Sequence, residues 1–323
     1  MDQRALSERG QSVLQGINSQ LRTLSWRTFD IQLLAQKAGR LPGSLDPLLR
    51  AAFQQAFKDA VCLVEHRQCN GCLLQHSCSF PRVFMSPVPK QLRQDKAPLP
   101  FVMLPPEQVP RQLRLDLLLP FRVRIFGQAL SWLPYFLLAW ERLARNGLGP
   151  ERTPFVLETV SSEGQQVYRP GQCDALALLE NQNPAFVAIP PFPGHCRLQT
   201  LSPLRLQPEP DSELPFARLV AALLQRLNSL LLVCQGQPLE GDFELIVQWA
   251  STLQARQQQL VWQDFQHGSR GQSQLGGLNG WLDYGPEIAA FWPLLWLGQY
   301  VHIGRGTSFG LGRYHLTGAE NGT

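Results

Sequence analysis

The sequence predicts an α+β fold built from two units of strands and helices. Helical periodicity in three segments, short strand-like segments between them, and a length of 323 residues indicate this class. Hydrophobic residues make up 44 % of the chain, enough for packed cores, and charged residues only 17 %. This composition excludes a disordered chain, and the formal net charge of +4 excludes a polybasic arm.

The first unit is predicted to begin with a polar helix over residues 1–20, followed by a strand within residues 21–34. Residues 48–61 form a helix, because their apolar side chains recur at i, i+3 and i+4. The proline-rich run at residues 81–106 does not support a long helix. We therefore place a domain boundary within it, which gives domains at residues 1–96 and 97–323.

The second unit contains strand and helix patterns in the order β-α-β-β-α-β. Its predicted elements are a strand at residues 113–126, a helix at 129–146, a hairpin at 155–160 and 166–168, a strand at 196–206, a helix at 216–234, and strand-like segments at 276–284 and from 300 onward. This order is typical of a ferredoxin-like (RRM-like) unit, a sheet with two helices on one face. The first unit has the pattern of a smaller, interrupted copy, so we predict tandem ferredoxin-like domains.

Four cysteines lie close together at residues 62–78, with the spacing C-x6-C-x2-C-x5-C. They are Cys62, Cys69, Cys72 and Cys78. Four thiolates in a short segment suit a tetrahedral zinc site, so we predict a structural zinc knuckle inserted in the first domain. An iron–sulfur cluster also suits four cysteines, and a redox C-x2-C is a further alternative that lacks a thioredoxin-like context.

The C-terminal run YVHIGRGTSFGLGRYH, residues 300–315, is rich in glycine. Its residues of interest are Gly304, Arg305, Gly306, Thr307, Ser308, Gly310, Gly312 and Arg313. Glycines at this spacing permit positive φ and allow amide N–H groups to form an anion nest, which two arginines flank. A tight strand connection without a ligand is the alternative. A nucleotide-binding P-loop is excluded, because no Gly-Lys-Ser/Thr follows.

The basic residues are strongly biased, because only four of the 29 are lysine. Arginine binds phosphate with two hydrogen bonds and stacks on bases, so the bias suits RNA, although genomic GC bias also explains it. The N-terminus has no secretion signal pattern, and polar residues interrupt the apolar run at residues 216–234 at helical intervals. We expect a cytoplasmic protein with no membrane partner.

Five stretches together resemble one family. They are LPFVMLPP at residues 99–106, FRVRIFGQALSWLPYFLLAWERLARNGLG at 121–149, LSPLRL at 201–206, LGGLNGWLDY at 275–284, and LLWLGQYVHIGRGTSFGLGRY at 294–314. In this order they resemble the CRISPR-associated endoribonucleases of the RAMP superfamily, which process repeat RNA. The resemblance covers most of residues 97–315. It implies tandem ferredoxin-like domains, a glycine-rich loop, and CRISPR repeat RNA as partner, with other CRISPR effector subunits as further partners.

The resemblance also implies the chemistry, a cleavage in which a 2′-hydroxyl attacks the adjacent phosphate without a metal ion. Family members often carry a catalytic histidine in or near the first helix, whereas this helix has Gln54 and Gln55. We assign catalysis to Arg50, Lys58 and His66. RNA contacts are expected from Arg270, His302, Gly304, Arg305, Gly306, Ser308, Gly310, Gly312 and Arg313. A non-catalytic subunit that holds the repeat handle of a guide is the alternative, and a zinc-stabilised interaction protein without RNA is a third.

Overall fold

The structure is a computed structural model of the chain. It describes residues 3–43, 45–64, 68–92, 96–106, 108–175, 188–206, 213–267 and 273–318. The chain divides into two compact units. The N-terminal unit comprises residues 25–185 with 233–235, and the C-terminal unit comprises residues 1–24, 186–232 and 236–323.

The N-terminal unit is a six-stranded antiparallel sheet with helices. Its elements are β1 (Trp26–Ala35), β2 (Gly39–Arg40), α2 (Asp46–Val61), α3 (Ser79–Phe84), β3 (Phe101–Leu104), β4 (Gln112–Leu113), β5 (Leu118–Phe126), α4 (Leu133–Asn146), β6 (Phe155–Ser162), β7 (Gln165–Arg169) and β8 (Gln172–Cys173). The strand order is β3-β5-β1-β6-β7-β8, and β2 pairs with β4 in a separate two-stranded sheet. The segments β1-α2-β3-β5-α4-β6 thus form a complete ferredoxin-like unit.

Aromatic packing between α2, α4 and the sheet forms the core of this unit. Phe53 of α2 is fully buried and contacts Phe101, Phe136 and Trp140, with ring centroids 5.4, 5.5 and 6.3 Å away. Such aromatic contacts add to the free energy of burial itself. The apolar stripe of α2 therefore faces the sheet, and the polar side of the helix faces solvent.

The C-terminal unit repeats the same topology. Its elements are α1 (Gln3–Leu21), β9 (Cys196–Thr200), α5 (Phe216–Gln235), α6 (Phe243–Ala250), β10 (Gln257–His267), β11 (Ser273–Tyr284), α7 (Trp292–Val301) and β12 (Tyr314–Gly318). The sheet order is β10-β11-β9-β12, and all neighbours are antiparallel. The predicted α+β class and the tandem ferredoxin-like arrangement agree with this topology.

Helix α5 is the one helix among the described residues that is long and apolar enough to cross a membrane. Core helices pass the same test of length and composition. Leu219, Leu223 and Leu227 of α5 are fully buried within the protein, and Arg226 donates to the Val301 carbonyl at 3.0 Å. These contacts agree with the amphipathic core helix that the sequence predicts.

The division of the chain differs from the boundary placed after residue 96. Strand β3 pairs with β5, which pairs with β1, so residues on both sides of 96 share one sheet. The proline-rich segment connects two elements of one unit instead of two domains. The strand and helix predicted at residues 113–146 therefore complete the first ferredoxin-like unit, and the second begins with β9.

Candidate functional site

The polar side of α2 borders an open cleft of about 620 Å³, here called the α2 cleft. It is lined by Ala51, Gln54, Gln55, Lys58, Gln68, Cys69, Asn70, Phe80 and Met85. Pro47 in the first turn favours the start of this helix, and the buried Phe53 and Phe57 fix which side faces outward. The cleft lining carries four amide side chains and one cation, a composition that suits hydrogen bonding to a polar, anionic ligand.

Lys58 is the cation of the α2 cleft. Its Nζ lies 5.4 Å from the centroid of the Phe80 ring, and its main-chain carbonyl accepts the Cys62 N–H at 2.9 Å. No aspartate or glutamate is among the described residues that line the cleft. Lys58 thus lines an open cleft, and its predicted catalytic role stays a prediction.

Arg50 lies about two turns before Lys58 on the same helix but is packed into the protein. Its guanidinium carbon lies 5.0 Å from the centroid of the Phe84 ring, and Nη1 donates to Gln54 Oε1 at 2.8 Å. Burial lowers the pKa of Arg50 to about 10, so the side chain is still a cation at neutral pH. These contacts support α3 and orient Gln54, which suits a supporting role better than direct contact with substrate.

The third predicted catalytic residue, His66, lies outside the described residues, as does Arg270 of the predicted RNA contacts.

The four clustered cysteines lie next to the α2 cleft. Cys62, Cys69, Cys72 and Cys78 all line a second cavity of about 30 Å³, here called the thiol cavity. All four are free thiols. Burial raises the pKa of the Cys69 thiol, and the nearby Lys58 opposes this effect.

The four clustered cysteines do not form a metal site as their side chains stand. Within the described part of the chain, no group of three or more His, Cys, Asp or Glu side chains is arranged to hold a metal ion. The zinc knuckle of the predicted fold is therefore not a feature of this structure, and zinc stays a prediction that rests on the donor set.

The glycine-rich loop belongs to the C-terminal unit and connects α7 to β12. Its glycines have the predicted left-handed conformation, with φ of +83° at Gly304, +76° at Gly306, +77° at Gly310 and +75° at Gly312. An added Cβ at Gly312 would lie 1.8 Å from the Ile303 carbonyl oxygen. Glycine is thus required here by backbone packing within the protein.

Many amides of this loop already donate within the protein. The N–H of Arg305 donates to the Arg205 carbonyl at 2.8 Å, and the N–H of Gly312 donates to the Pro203 carbonyl at 2.9 Å. The N–H groups of Phe309, Gly310 and Leu311 also donate to loop carbonyls. These amides do not contribute to an anion nest, so contacts to a ligand from this loop depend mainly on side chains.

The side chains of the loop differ in their access to solvent. Arg305 is exposed, Ser308 and Arg313 are half-buried, and His302 has 0 % of its surface exposed. A direct RNA contact from His302 does not agree with this burial. Among the predicted contacts of this loop, Arg305 and Ser308 are therefore open to solvent and His302 is not.

A cluster that the sequence did not indicate lies on the sheet of the C-terminal unit. Arg197 donates to both carboxylate oxygens of the buried Asp283 at 2.7 Å, and its guanidinium carbon lies 4.0 Å from the centroid of the Trp281 ring. Strand alternation in β11 puts Trp281 and Asp283 on one face. Their pairing with β9 is what brings Arg197 alongside, and no local pattern predicts that pairing. The sequence also did not indicate Gln68, Asn70 and Met85 of the α2 cleft, because tertiary contacts bring them to the cleft and no local pattern predicts those contacts.

Family models match both units. Residues 24–183 match the AF_1859_N model, described as an N-terminal domain, and residues 198–314 match the model of the CRISPR-associated endoribonuclease Cas6. The Cas6 match includes the glycine-rich loop. No curated protein matches the chain in sequence at a significant level.

Solved structures share the fold at low sequence identity. A partial Cas6-RT-Cas1–Cas2 complex matches with a TM-score of 0.56 and 15 % identity over 93 % of this chain and 47 % of that chain. The Cas6-RT-Cas1–Cas2 complex matches with a TM-score of 0.56 and 15 % identity over 93 % of this chain and 29 % of that one. The chain therefore spans less than half the length of these two proteins.

A Cas6 of Thermus thermophilus in a product complex matches nearly end to end. Its TM-score is 0.52 at 16 % identity, over 91 % of this chain and 99 % of that chain. The resemblance that the sequence indicates is thereby confirmed: residues 198–314 match the CRISPR-associated endoribonuclease Cas6 model, and the chain shares its fold with this solved Cas6 structure.

Proposed function

We propose that the chain binds CRISPR repeat RNA and cuts the precursor transcript into guide RNAs. The observation that carries this proposal is the match of residues 198–314 to the Cas6 endoribonuclease model. The α2 cleft supports it, because a lone cation among amide side chains suits an RNA backbone and its base edges.

The proposed reaction is attack by a 2′-hydroxyl on the adjacent phosphate without a metal ion. A base removes the hydroxyl proton, the oxygen bonds to phosphorus, and the bond from phosphorus to the 5′ oxygen breaks. The leaving oxygen takes up a proton, so the products are a cyclic phosphate and a 5′-hydroxyl. The negative charge that develops on the phosphate oxygens must meet a fixed cation.

We assign Lys58 as the cation that stabilises the negative charge on the phosphate oxygens. It lines the α2 cleft, whereas Arg50 is stacked on Phe84. Arg50 then acts by holding Gln54 and α3 in place. His66 remains the proposed proton-transfer residue. Arg305 and Ser308 are the proposed RNA contacts of the glycine-rich loop.

A guide-holding subunit without catalysis is the second candidate. It is favoured by the lining of the α2 cleft, since no histidine is among the described residues there. Histidine is the side chain best suited to proton transfer near neutral pH. The two candidates predict the same RNA binding and differ only in cleavage.

Labelled repeat RNA from the CRISPR array of the same genome distinguishes them. The protein is mixed with this RNA in EDTA, and the products are analysed on denaturing and native gels. One cut with a cyclic-phosphate end supports the nuclease, and a shifted but intact RNA supports the guide-holding subunit. RNA that is neither shifted nor cut contradicts both.

Variants then test the residue assignments. Lys58→Met should lower the cleavage rate by about 10²-fold or more, as expected when a charge that meets the transition state is removed. His66→Ala should also reduce the rate. Lys90→Met, another of the four lysines, is the matched control and should cleave normally. Wild-type rates in both Lys58→Met and His66→Ala would refute the assignment.

We also propose a structural zinc ion held by Cys62, Cys69, Cys72 and Cys78. All four thiols line one cavity, and four thiolates are a donor set that suits tetrahedral zinc. Closing the site requires movement of the segment that carries them. Metal analysis should find about one zinc per chain. Cys72→Ser should lose it and Cys173→Ser, an exposed cysteine elsewhere, should keep it. Iron with visible absorbance, or no metal, would overturn zinc.

Other CRISPR proteins are the proposed protein partners. The matching solved structures include assemblies of Cas6 with Cas1 and Cas2. Co-purification of the tagged chain with the products of neighbouring CRISPR genes, before and after ribonuclease treatment, tests whether such contacts exist and whether RNA mediates them.

A further inference from the structure

The thiol cavity and the α2 cleft share one wall. Lys58, Gln68, Cys69 and Phe80 line both, and they are here called the shared wall. Cys69 is thus both a proposed zinc ligand and part of the cleft in which RNA is proposed to bind. Whatever fixes the position of Cys69 also fixes the edge of the cleft.

The leucines of the segment that carries the cysteines are exposed, although Cys69 and Cys78 pack against the core of the unit. Leu63 is 87 % exposed and Leu73 is 99 % exposed, and Leu74 is exposed as well. Burial of leucine is a main source of folding free energy, so these side chains contribute almost nothing to holding the segment. Segments without a core are commonly stabilised by a metal or disulfides.

Local hydrogen bonds add to the contacts that Cys69 and Cys78 make with the core. The Cys72 N–H donates to the Cys69 carbonyl at 3.2 Å, and the Cys78 N–H donates to the Leu74 carbonyl at 2.8 Å. These bonds shape individual turns and do not link Cys69 to the end of α2. A metal bound to Cys62 and Cys69 would make that link, because Cys62 is the residue at which α2 ends.

We propose that zinc in the thiol cavity sets the geometry of the shared wall, so that zinc binding and RNA binding strengthen each other. This inference rests on the proposed function, in which RNA occupies the α2 cleft. The metal holds Cys62 and Cys69 together and thereby fixes the positions of Lys58 and Gln68 in the shared wall. RNA then meets a preformed cleft and does not have to order it.

Coupling of this kind is reciprocal by thermodynamic necessity. Zinc should raise the affinity for RNA by about tenfold, within the range of roughly 5–150-fold that is typical of coupled sites. RNA must raise the affinity for zinc by the same factor. The zinc ion has no role in the cleavage step itself under this proposal.

The experiment uses the full chain, prepared with chelator and then titrated with zinc chloride. Fluorescence anisotropy of labelled repeat RNA gives the Kd at each zinc level, and a chromophoric chelator gives the rate of zinc release with and without RNA. Zinc should lower the Kd, and RNA should slow zinc release. Cys173→Ser should behave as wild type. Lys58→Met should retain zinc but bind RNA more weakly.

Each failure has a separate outcome. A chain that takes up no zinc overturns the metal site and the coupling with it. A chain that binds zinc and binds RNA with the same Kd at all zinc levels overturns the coupling alone. A chain that binds zinc but no RNA overturns the proposed function. Cys72→Ser adds a check, because Cys72 does not line the α2 cleft: full RNA affinity in this zinc-free variant would also overturn the coupling.

Discussion

Replacement of Gly312 by alanine tests the packing of the glycine-rich loop most directly. At a φ of +75° a side chain costs about 1–2 kcal/mol in backbone strain. The added Cβ would also lie 1.8 Å from the Ile303 carbonyl oxygen, which is too close for any relaxed contact. The loop must therefore move away from Ile303.

That movement breaks hydrogen bonds that the structure shows. The Ile303 N–H donates to the Gly312 carbonyl at 3.0 Å, and the Gly312 N–H donates to the Pro203 carbonyl at 2.9 Å. Each such bond contributes about 1 kcal/mol net. Gly312→Ala should therefore lower the free energy of unfolding of the C-terminal unit by about 3–4 kcal/mol.

Gly194→Ala is the matched control in the same unit. Its φ is +84°, and no atom lies within 4 Å of the added Cβ, so it should cost only the backbone strain of about 1–2 kcal/mol. The entropy that glycine adds to the unfolded chain is the same at both positions and cancels in the comparison.

Thermal unfolding followed by circular dichroism measures the difference. For a unit of this size the Tm should fall by about 10 °C in Gly312→Ala and about 4 °C in Gly194→Ala. Equal shifts in the two variants would refute the reasoning, because they would mean that the clash with Ile303 is relieved at no cost.

Three further predictions follow from contacts in the two units. Asp283→Asn should lower the stability of the C-terminal unit by about 1–3 kcal/mol in thermal unfolding, because it weakens the bidentate bond with Arg197. The control is Asp264→Asn at an exposed position, which should change the stability by less than about 0.5 kcal/mol. Arg305→Ala should weaken repeat-RNA binding without a change in Tm, because Arg305 is exposed. His302→Ala should lower the Tm, because His302 is buried. A lower Tm in Arg305→Ala and weaker RNA binding alone in His302→Ala would contradict this placement. Arg50→Met should lower the free energy of unfolding by about 1–2 kcal/mol through loss of the Phe84 and Gln54 contacts. The salt dependence of RNA binding should not change in this variant. If the slope of log K against log salt concentration falls by about one, Arg50 contacts a phosphate instead.

Local patterns predicted the elements whose apolar residues lie on one side. Helix α2 is an example, since its buried residues follow the helical period. Strand β10 was missed, because its sequence QQQLVWQDFQH is rich in glutamine and has few of the β-branched and aromatic residues that indicate a strand. Helix α7 was missed because Trp292–Val301 is buried on most sides and therefore shows no amphipathic stripe.

The division into units was not predictable from local patterns. Strand β5 begins more than 80 residues after β1 ends, and their pairing decides that residues 97–185 belong with residues 25–96. A proline-rich segment looks the same in sequence whether it connects two domains or two strands of one sheet. Only the register of distant strands distinguishes the two cases.

Local patterns are also insufficient to predict which side chains of the candidate site are accessible. The outward direction of Lys58 follows from its position on the polar side of α2, and the structure agrees. Arg50 lies on the same helix, but Phe84 of α3 covers it, and this contact spans 34 positions of sequence. A basic residue on a helix is therefore a candidate for RNA binding only after its tertiary neighbours are known.

For the glycine-rich loop, the sequence predicted the backbone conformation but not the groups that are available for binding. The spacing of its glycines predicted positive φ correctly at four positions. The same spacing also predicted an anion nest, yet five loop amides donate to carbonyls of the protein, those of Arg305, Phe309, Gly310, Leu311 and Gly312. Gly304 and Gly312 are thus accounted for by close approach to the Arg205 and Ile303 carbonyls, and Gly306 by the Leu311 side chain. It follows that the chemistry available to RNA here lies in the exposed Arg305 and the half-buried Ser308, and that substitutions of glycine will report on folding before they report on binding.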